Sequence, residues 1–100
     1  MLRNNLTGKQ KAFLRSQGQT IEPVVFIGKE AVSPTVVKAA AEALKKRELI
    51  KVRVLNNCLE DTEAAVTMLS ERCDANLVQV IGNNALLFKR NFDKPRIELP

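Results

Sequence analysis

The chain contains no histidine, tyrosine or tryptophan, and only four phenylalanines and two cysteines in 100 residues. Each absence removes a class of chemistry. Without imidazole there is no Ser-His or Cys-His nucleophile pair, no acid–base side chain poised near neutral pH, and no Cys/His zinc site. Without Tyr or Trp, a broad aromatic platform for reading bases is not expected. The longest apolar runs, such as Pro23 to Ile27 and Ala85 to Phe88, fall far short of the roughly twenty residues a membrane span needs, so no membrane partner is expected. Met1 to Thr7 is polar and lacks the apolar stretch of a signal peptide. Cys58 and Cys73 have no other thiol or imidazole to join them. Two free thiols are therefore expected rather than a disulfide, and the expected location is cytoplasmic. No cofactor, metal ligand or catalytic residue is assigned, because no nucleophile has a plausible base. The chain is expected not to be an enzyme.

What the sequence does contain is a 45% apolar content, enough for one core, and a net charge of +5. The charge is unevenly placed. Residues 1–53 hold eleven Lys/Arg and four acids (+7), residues 54–76 one Arg and five acids (−4), and residues 77–100 four bases and two acids (+2). Such separation points to a basic face and an acidic face, and the natural partner of the basic one is an anionic polymer.

Thr7 with Gln10 has capping-box spacing and starts a helix expected to stop at Gly18. Pro23–Ile27 reads as a short buried strand ended by Gly28. Ser33-Pro34 opens a second helix with Val37, Ala40, Ala41 and Leu44 on its apolar stripe and Lys45-Lys46-Arg47 at its end. Leu49 to Leu55 alternates, with Ile50, Val52 and Val54 on one side and Lys51 and Arg53 on the other. A third helix over about Asp61 to Arg72 carries acids in its first turn and Ala65, Met68 and Leu69 as its buried stripe. Leu77–Ile81, Gly82-Asn83-Asn84 and Ala85–Phe88 read as a hairpin. Phe13, Phe26 and Phe88 are assigned to the core rather than to base stacking, given their apolar neighbours, and Phe92 either stacks on a partner or anchors the tail. From Asn91 onward no periodicity remains, so a domain over residues 1–90 followed by a loose tail, 91–100, is expected.

The order is an N-terminal helix followed by β-α-β-α-β-β. Right-handed crossovers place the two later helices on one face of a four-stranded mixed sheet, giving a two-layer α/β sandwich. The last strand returns either into the gap between the crossover strands or onto the edge.

Gly28-Lys29-Glu30-Ala31 joins a strand to a helix N-terminus, where backbone N–H groups and Lys29 can hold a phosphate. Taken by itself, with one Gly and one Lys, it reads first as an ordinary strand-to-helix turn. Lys9, Lys11 and Arg15 on the first helix, and Lys51 and Arg53 on the second strand, read singly as solvated faces and jointly as an anion-binding surface.

Several segments together resemble a known family. Leu6-Thr7-Gly8-Lys9-Gln10 with Leu14-Arg15, Pro23-Val24-Val25 and Ile27-Gly28-Lys29 are similar to the opening of a CRM domain (chloroplast RNA splicing and ribosome maturation). Glu48–Val52 and Val78–Gly82 resemble its next two strands. Phe88-Lys89-Arg90 through Ile97–Pro100 resembles the close of the stand-alone bacterial, YhbY-like form. The resemblance implies a fold similar to the C-terminal domain of translation initiation factor three. It also implies RNA binding, with large-subunit rRNA precursors and the pre-ribosomal particle as partners of a monomer. In the family a GxxG loop similar to that of KH domains helps hold the RNA backbone. Here that loop is Gly28 to Ala31, with alanine at the last position and the acid Glu30 before it. The expected RNA-binding residues are accordingly Lys9, Lys11, Arg15, Gly28, Lys29, Ala31, Lys51, Arg53, Lys89 and Arg90. The competing reading is a protein-interaction module that uses the acidic third helix.

Overall fold

The computed structural model describes residues 6–100. The polar stretch from Met1 to Asn5 lies outside them. Three helices, α1 (Gly8–Gly18), α2 (Pro34–Arg47) and α3 (Thr62–Arg72), and four strands, β1 (Pro23–Ile27), β2 (Leu49–Val54), β3 (Asn76–Ile81) and β4 (Asn84–Phe88), follow in the expected order. The caps explain the starts. The Gln10 backbone N–H donates to Thr7 Oγ1 at 3.1 Å while Thr7 N–H donates to Gln10 Oε1 at 3.0 Å, which completes the capping box. The hydroxyl of Ser33 accepts from Val36 N–H at 3.2 Å, and Asp61 accepts from Ala64 N–H at 2.7 Å.

The sheet order is β1-β2-β4-β3. β1 and β2 are parallel, and β4 lies antiparallel to both β2 and β3. The returning strand thus fills the gap between the two crossover strands instead of extending the edge. Helices α2 and α3 cover one face and bury Ile27, Leu44, Ile50, Val52, Leu69 and Leu87 beneath them. Helix α1 crosses the other face, where Leu14 meets Leu49, Val78, Leu86 and Phe88. Full burial of side chains such as Leu14 and Phe88 contributes about 1.5–3 kcal/mol each.

The sequence marks Gly18 only as the stop of α1. The structure assigns it a different duty. It is the last helical residue and is buried, and a Cβ there would come within 2.3 Å of a Leu86 methyl carbon. Close approach of helix to sheet requires glycine at this point.

Three side chains depart from their expected places. Ala41 is exposed, whereas Ala40 and Leu44 are buried with Val36, Val37 and Ala43 beside them. At about 100° per residue, Ala41 lies a quarter turn off that stripe. Met68 is 36% exposed, and Val66 takes the buried position on α3. Phe26 is 50% exposed, not core. It alternates with the buried Val25 and Ile27, and so points to the face that α2 does not cover.

The tail is not loose. Glu48, fully buried and at φ +64°, accepts hydrogen bonds from the backbone N–H groups of Asn91 (2.7 Å), Arg96 (2.6 Å) and Ile97 (2.7 Å). Arg90 stands 3.9 Å from the same carboxylate. Ile97 and Leu99 consequently pack against the Leu14–Phe88 cluster, and Gln10 Nε2 donates to Pro100 O at 3.3 Å. Residues 91–100 have no helix or strand, yet they form part of the cover over the second sheet face.

Candidate nucleic-acid interface

Alternation along β2 puts Ile50, Val52 and Val54 under α2 and α3, and puts Leu49, Lys51 and Arg53 on the α1 face. The register extends this face across the sheet. Phe26 pairs with Arg53, Arg53 with Asn84, and Asn84 with Ile81. One row therefore runs Phe26-Arg53-Asn84-Ile81, and the adjacent row runs Lys51-Leu86-Gln79. Neighbours within a row stand about 4.5–5.5 Å apart at Cβ. Helix α1 and the tail cover the end of this face that contains Leu49 and Phe88. At the other end Arg53 is exposed, and Ile81 is 61% exposed. Between the covered and bare parts lies a cavity of about 120 Å³ bounded by Gly18, Gln19, Lys51, Gln79, Asn84 and Leu86.

The Gly28–Ala31 loop leaves β1 at this same bare end, where Leu55 N–H donates to Ile27 O at 2.8 Å. Ala31 N–H closes a tight turn onto Gly28 O at 2.9 Å, and Ser33 N–H follows onto Ala31 O at 3.0 Å. Lys29 and Glu30 both project from the turn into solvent. The left-handed backbone falls on Ala31, at φ +55°, while Gly28 does not need it. An L-residue there costs about 1–2 kcal/mol. Ala31→Gly is therefore expected to raise stability by about 0.5–1 kcal/mol, after allowing for the larger unfolded-state entropy of glycine. A shifted denaturant midpoint at unchanged slope measures it, and an unshifted midpoint would show that the turn carries no strain.

Arg53 lies at the end of the sheet from which the Gly28–Ala31 loop carries Lys29, and Lys51, paired with Pro23 and Leu86, lies two residues farther in on the same face as Arg53. Lys9 and Lys11 are exposed and Arg15 half-buried on α1, over the same face as Lys51 and Arg53. Among the described residues the single cation–carboxylate contact is Arg90 with Glu48. The other basic side chains of the expected set thus carry charge not neutralised by an internal ion pair. Lys89 and Arg90 are placed differently. They follow β4 at the opposite end, where Lys89 Nζ donates to Cys73 O at 2.9 Å and Arg90 donates to Ile97 O at 3.2 Å while lying over the Phe88 ring. Both donate to backbone carbonyls of the protein itself.

Acidic Asp61 and Glu63 open α3 on the other face of the sheet, so the basic stripe of β2 and the acidic helix start lie back to back. Both cysteines are free, and burial pushes the Cys73 thiol up, with Lys89 opposing. Among the described residues no three His, Cys, Asp or Glu side chains cluster as a metal site, and no helix is long and apolar enough to cross a membrane.

Phe26, Gln79, Ile81 and Asn84 belong to this surface; the sequence assigns Phe26 to the core and gives no binding role to the other three. In Pro23–Ile27 every residue is apolar, which hides the period-two alternation that would have exposed Phe26.

Comparison with known proteins matches this picture. The chain is 46% identical over 95 residues to Probable RNA-binding protein YqeI of Bacillus subtilis, covering 95% of this chain and 99% of that one. It is 30% identical to a protein of Haemophilus influenzae named RNA-binding protein, covering 95% of each. The solution structure of protein SAV1595 from Staphylococcus aureus superposes with a TM-score of 0.80 at 41% identity, covering 96% of this chain and all of that one. Residues 6–89 match the CRS1 / YhbY (CRM) domain, and the chain belongs to that family.

Proposed function

We propose that this protein binds structured RNA through phosphate contacts, that its RNA is the precursor of the large ribosomal subunit, and that it assists assembly of that particle in the cytoplasm as a monomer without catalysis. The observation that carries this reading is the alignment of Lys51 and Arg53 along one sheet face, with Lys29 on the loop that leaves β1 at the Arg53 end, all three free of internal ion pairs among the described residues. Lys9, Lys11 and Arg15 extend the same charge along α1. The names of the relatives support RNA as the anion, and the family resemblance supports the ribosomal precursor. Tight base specificity is not part of the reading, because cations on a sheet face neutralise phosphates regardless of sequence.

About four phosphate contacts predict a log–log salt slope near −3 and a loss of about 50-fold in affinity between 50 and 200 mM salt. Filter binding to large-subunit rRNA fragments measures it, and a flat salt profile would exclude this mode of binding. Sucrose-gradient fractions treated with RNase test the particle. Release on digestion fits RNA binding, whereas retention would place the contact on a protein, with the acidic start of α3 as its docking surface.

A further inference from the structure

The bare end of the sheet contains more than phosphate chemistry. Phe26 stands half-exposed beside Arg53, and Arg53 stands beside Asn84, all in one cross-strand row. Asn84 lines the 120 Å³ cavity, and its Oδ1 is buried with no hydrogen-bond partner among the described residues. A buried acceptor without a donor is uncommon in folded proteins. Gln79 places a second amide on the same cavity, and Lys51 flanks it with a cation. Leu86 and the half-turn at Gly18-Gln19 wall its inner side.

An aromatic ring, an adjacent guanidinium, a cavity lined by two amides and flanking cations make a set of complementary features. They suit a flat, partly apolar ring with a polar edge, attached to a phosphate backbone. We propose that this end of the sheet is a subsite for an unpaired RNA nucleobase, stacked on Phe26 and Arg53 with its polar edge toward the cavity that Gln79 and Asn84 line. The subsite rests on the RNA-binding reading above and adds to it a preference for looped or single-stranded segments over plain duplex. Phosphates on either side of the base reach Lys51 and, across the end of β1, Lys29. The loop and the sheet thereby engage one continuous strand.

Binding of an oligoadenylate of about eight nucleotides tests this against an abasic ribose-phosphate strand of equal length, which has the same charge and no rings. The protein is expected to bind the oligoadenylate about tenfold more tightly than the abasic strand, and Phe26→Ala to erase that difference while leaving abasic and duplex binding unchanged. Phe26→Trp introduces the sole tryptophan of the chain. Its emission is expected to be quenched by the oligoadenylate and not by the abasic strand, which also shows that the variant is folded and that the ring meets a base. Equal affinity for the two strands, wild-type affinity in Phe26→Ala, or unquenched Trp emission would each overturn the subsite, even if duplex RNA binds well. Failure of the wild-type protein to bind any of the three RNAs would instead overturn RNA binding itself.

Discussion

Glu48→Gln is expected to lower stability by about 3 kcal/mol and the melting temperature by roughly 15 °C. The carboxylate is fully buried and accepts three backbone N–H bonds of 2.6–2.7 Å from the tail. Hydrogen bonds to a charged acceptor contribute about 1.5–3 kcal/mol each when the partner would otherwise stay buried and unmet. Glutamine keeps the volume but turns one acceptor into a donor, which then faces a backbone N–H. Trypsin gives an independent readout, since Arg96 is held by its own N–H in the native protein and its peptide bond should be cut quickly in the variant. A variant that melts with the wild type would show that the tail contributes nothing to the fold.

The same group predicts an acid sensitivity. Burial on its own would raise the Glu48 pKa, but the N–H groups of Asn91, Arg96 and Ile97, with the Arg90 guanidinium, outweigh it and hold the pKa below its ordinary 4.5. A carboxylate whose pKa is lower in the folded state stabilises the protein fully above its unfolded value. That contribution fades as pH falls from 4.5 through the folded value. Glu48→Gln removes this part of the pH dependence, so the two proteins should converge in stability as the solution is acidified.

The second large effect concerns the basic end. Lys51→Gln with Arg53→Gln is expected to weaken binding to large-subunit rRNA fragments about 100-fold, taking about 1.5 kcal/mol for each charged contact removed. The log–log salt slope should become shallower by about two at the same time, which a general loss of folding would not produce. Arg53 faces solvent between Phe26 and Asn84, and Lys51 is half-buried between Pro23 and Leu86; both point away from the α2/α3 core, so the melting temperature should change little. Unchanged RNA affinity in the double variant would move the interface away from this sheet face.

Local chemistry announced most of the fold. Thr7 with Gln10, Ser33 with Pro34, and Asp61 each mark a helix start within their own turn, and Leu49–Leu55 alternates openly because its outward side chains are charged. What stayed hidden depends on partners distant in sequence. The strand order is set by which edge β4 meets, and nothing in Ala85–Phe88 itself says so. Glu48 lies 43–49 residues from the amides it binds and sits in the sequence beside Lys45-Lys46-Arg47, so it reads as one more surface charge. Lys89 and Arg90 look like the rest of the basic set, and only the structure shows them turned toward Cys73 and the tail. The cationic part of the candidate surface was legible as Lys29, Lys51 and Arg53. The part suited to a base was not, since it arises from Phe26, Asn84 and Ile81 meeting across three strand pairings.

The central position of β4 also has a meaning for synthesis. While the chain is emerging from the ribosome, β2 and β3 can already stand side by side in approximate parallel, but with a strand-wide slot between them. The Leu87 and Phe88 side chains that fill both hydrophobic clusters have yet to arrive. Only when residues up to 88 have left the exit tunnel can the slot close, and only after that can Glu48 gather the tail. Until β4 joins the sheet, β2 and β3 each keep an open edge of unpaired backbone groups, the kind of edge along which chains mispair.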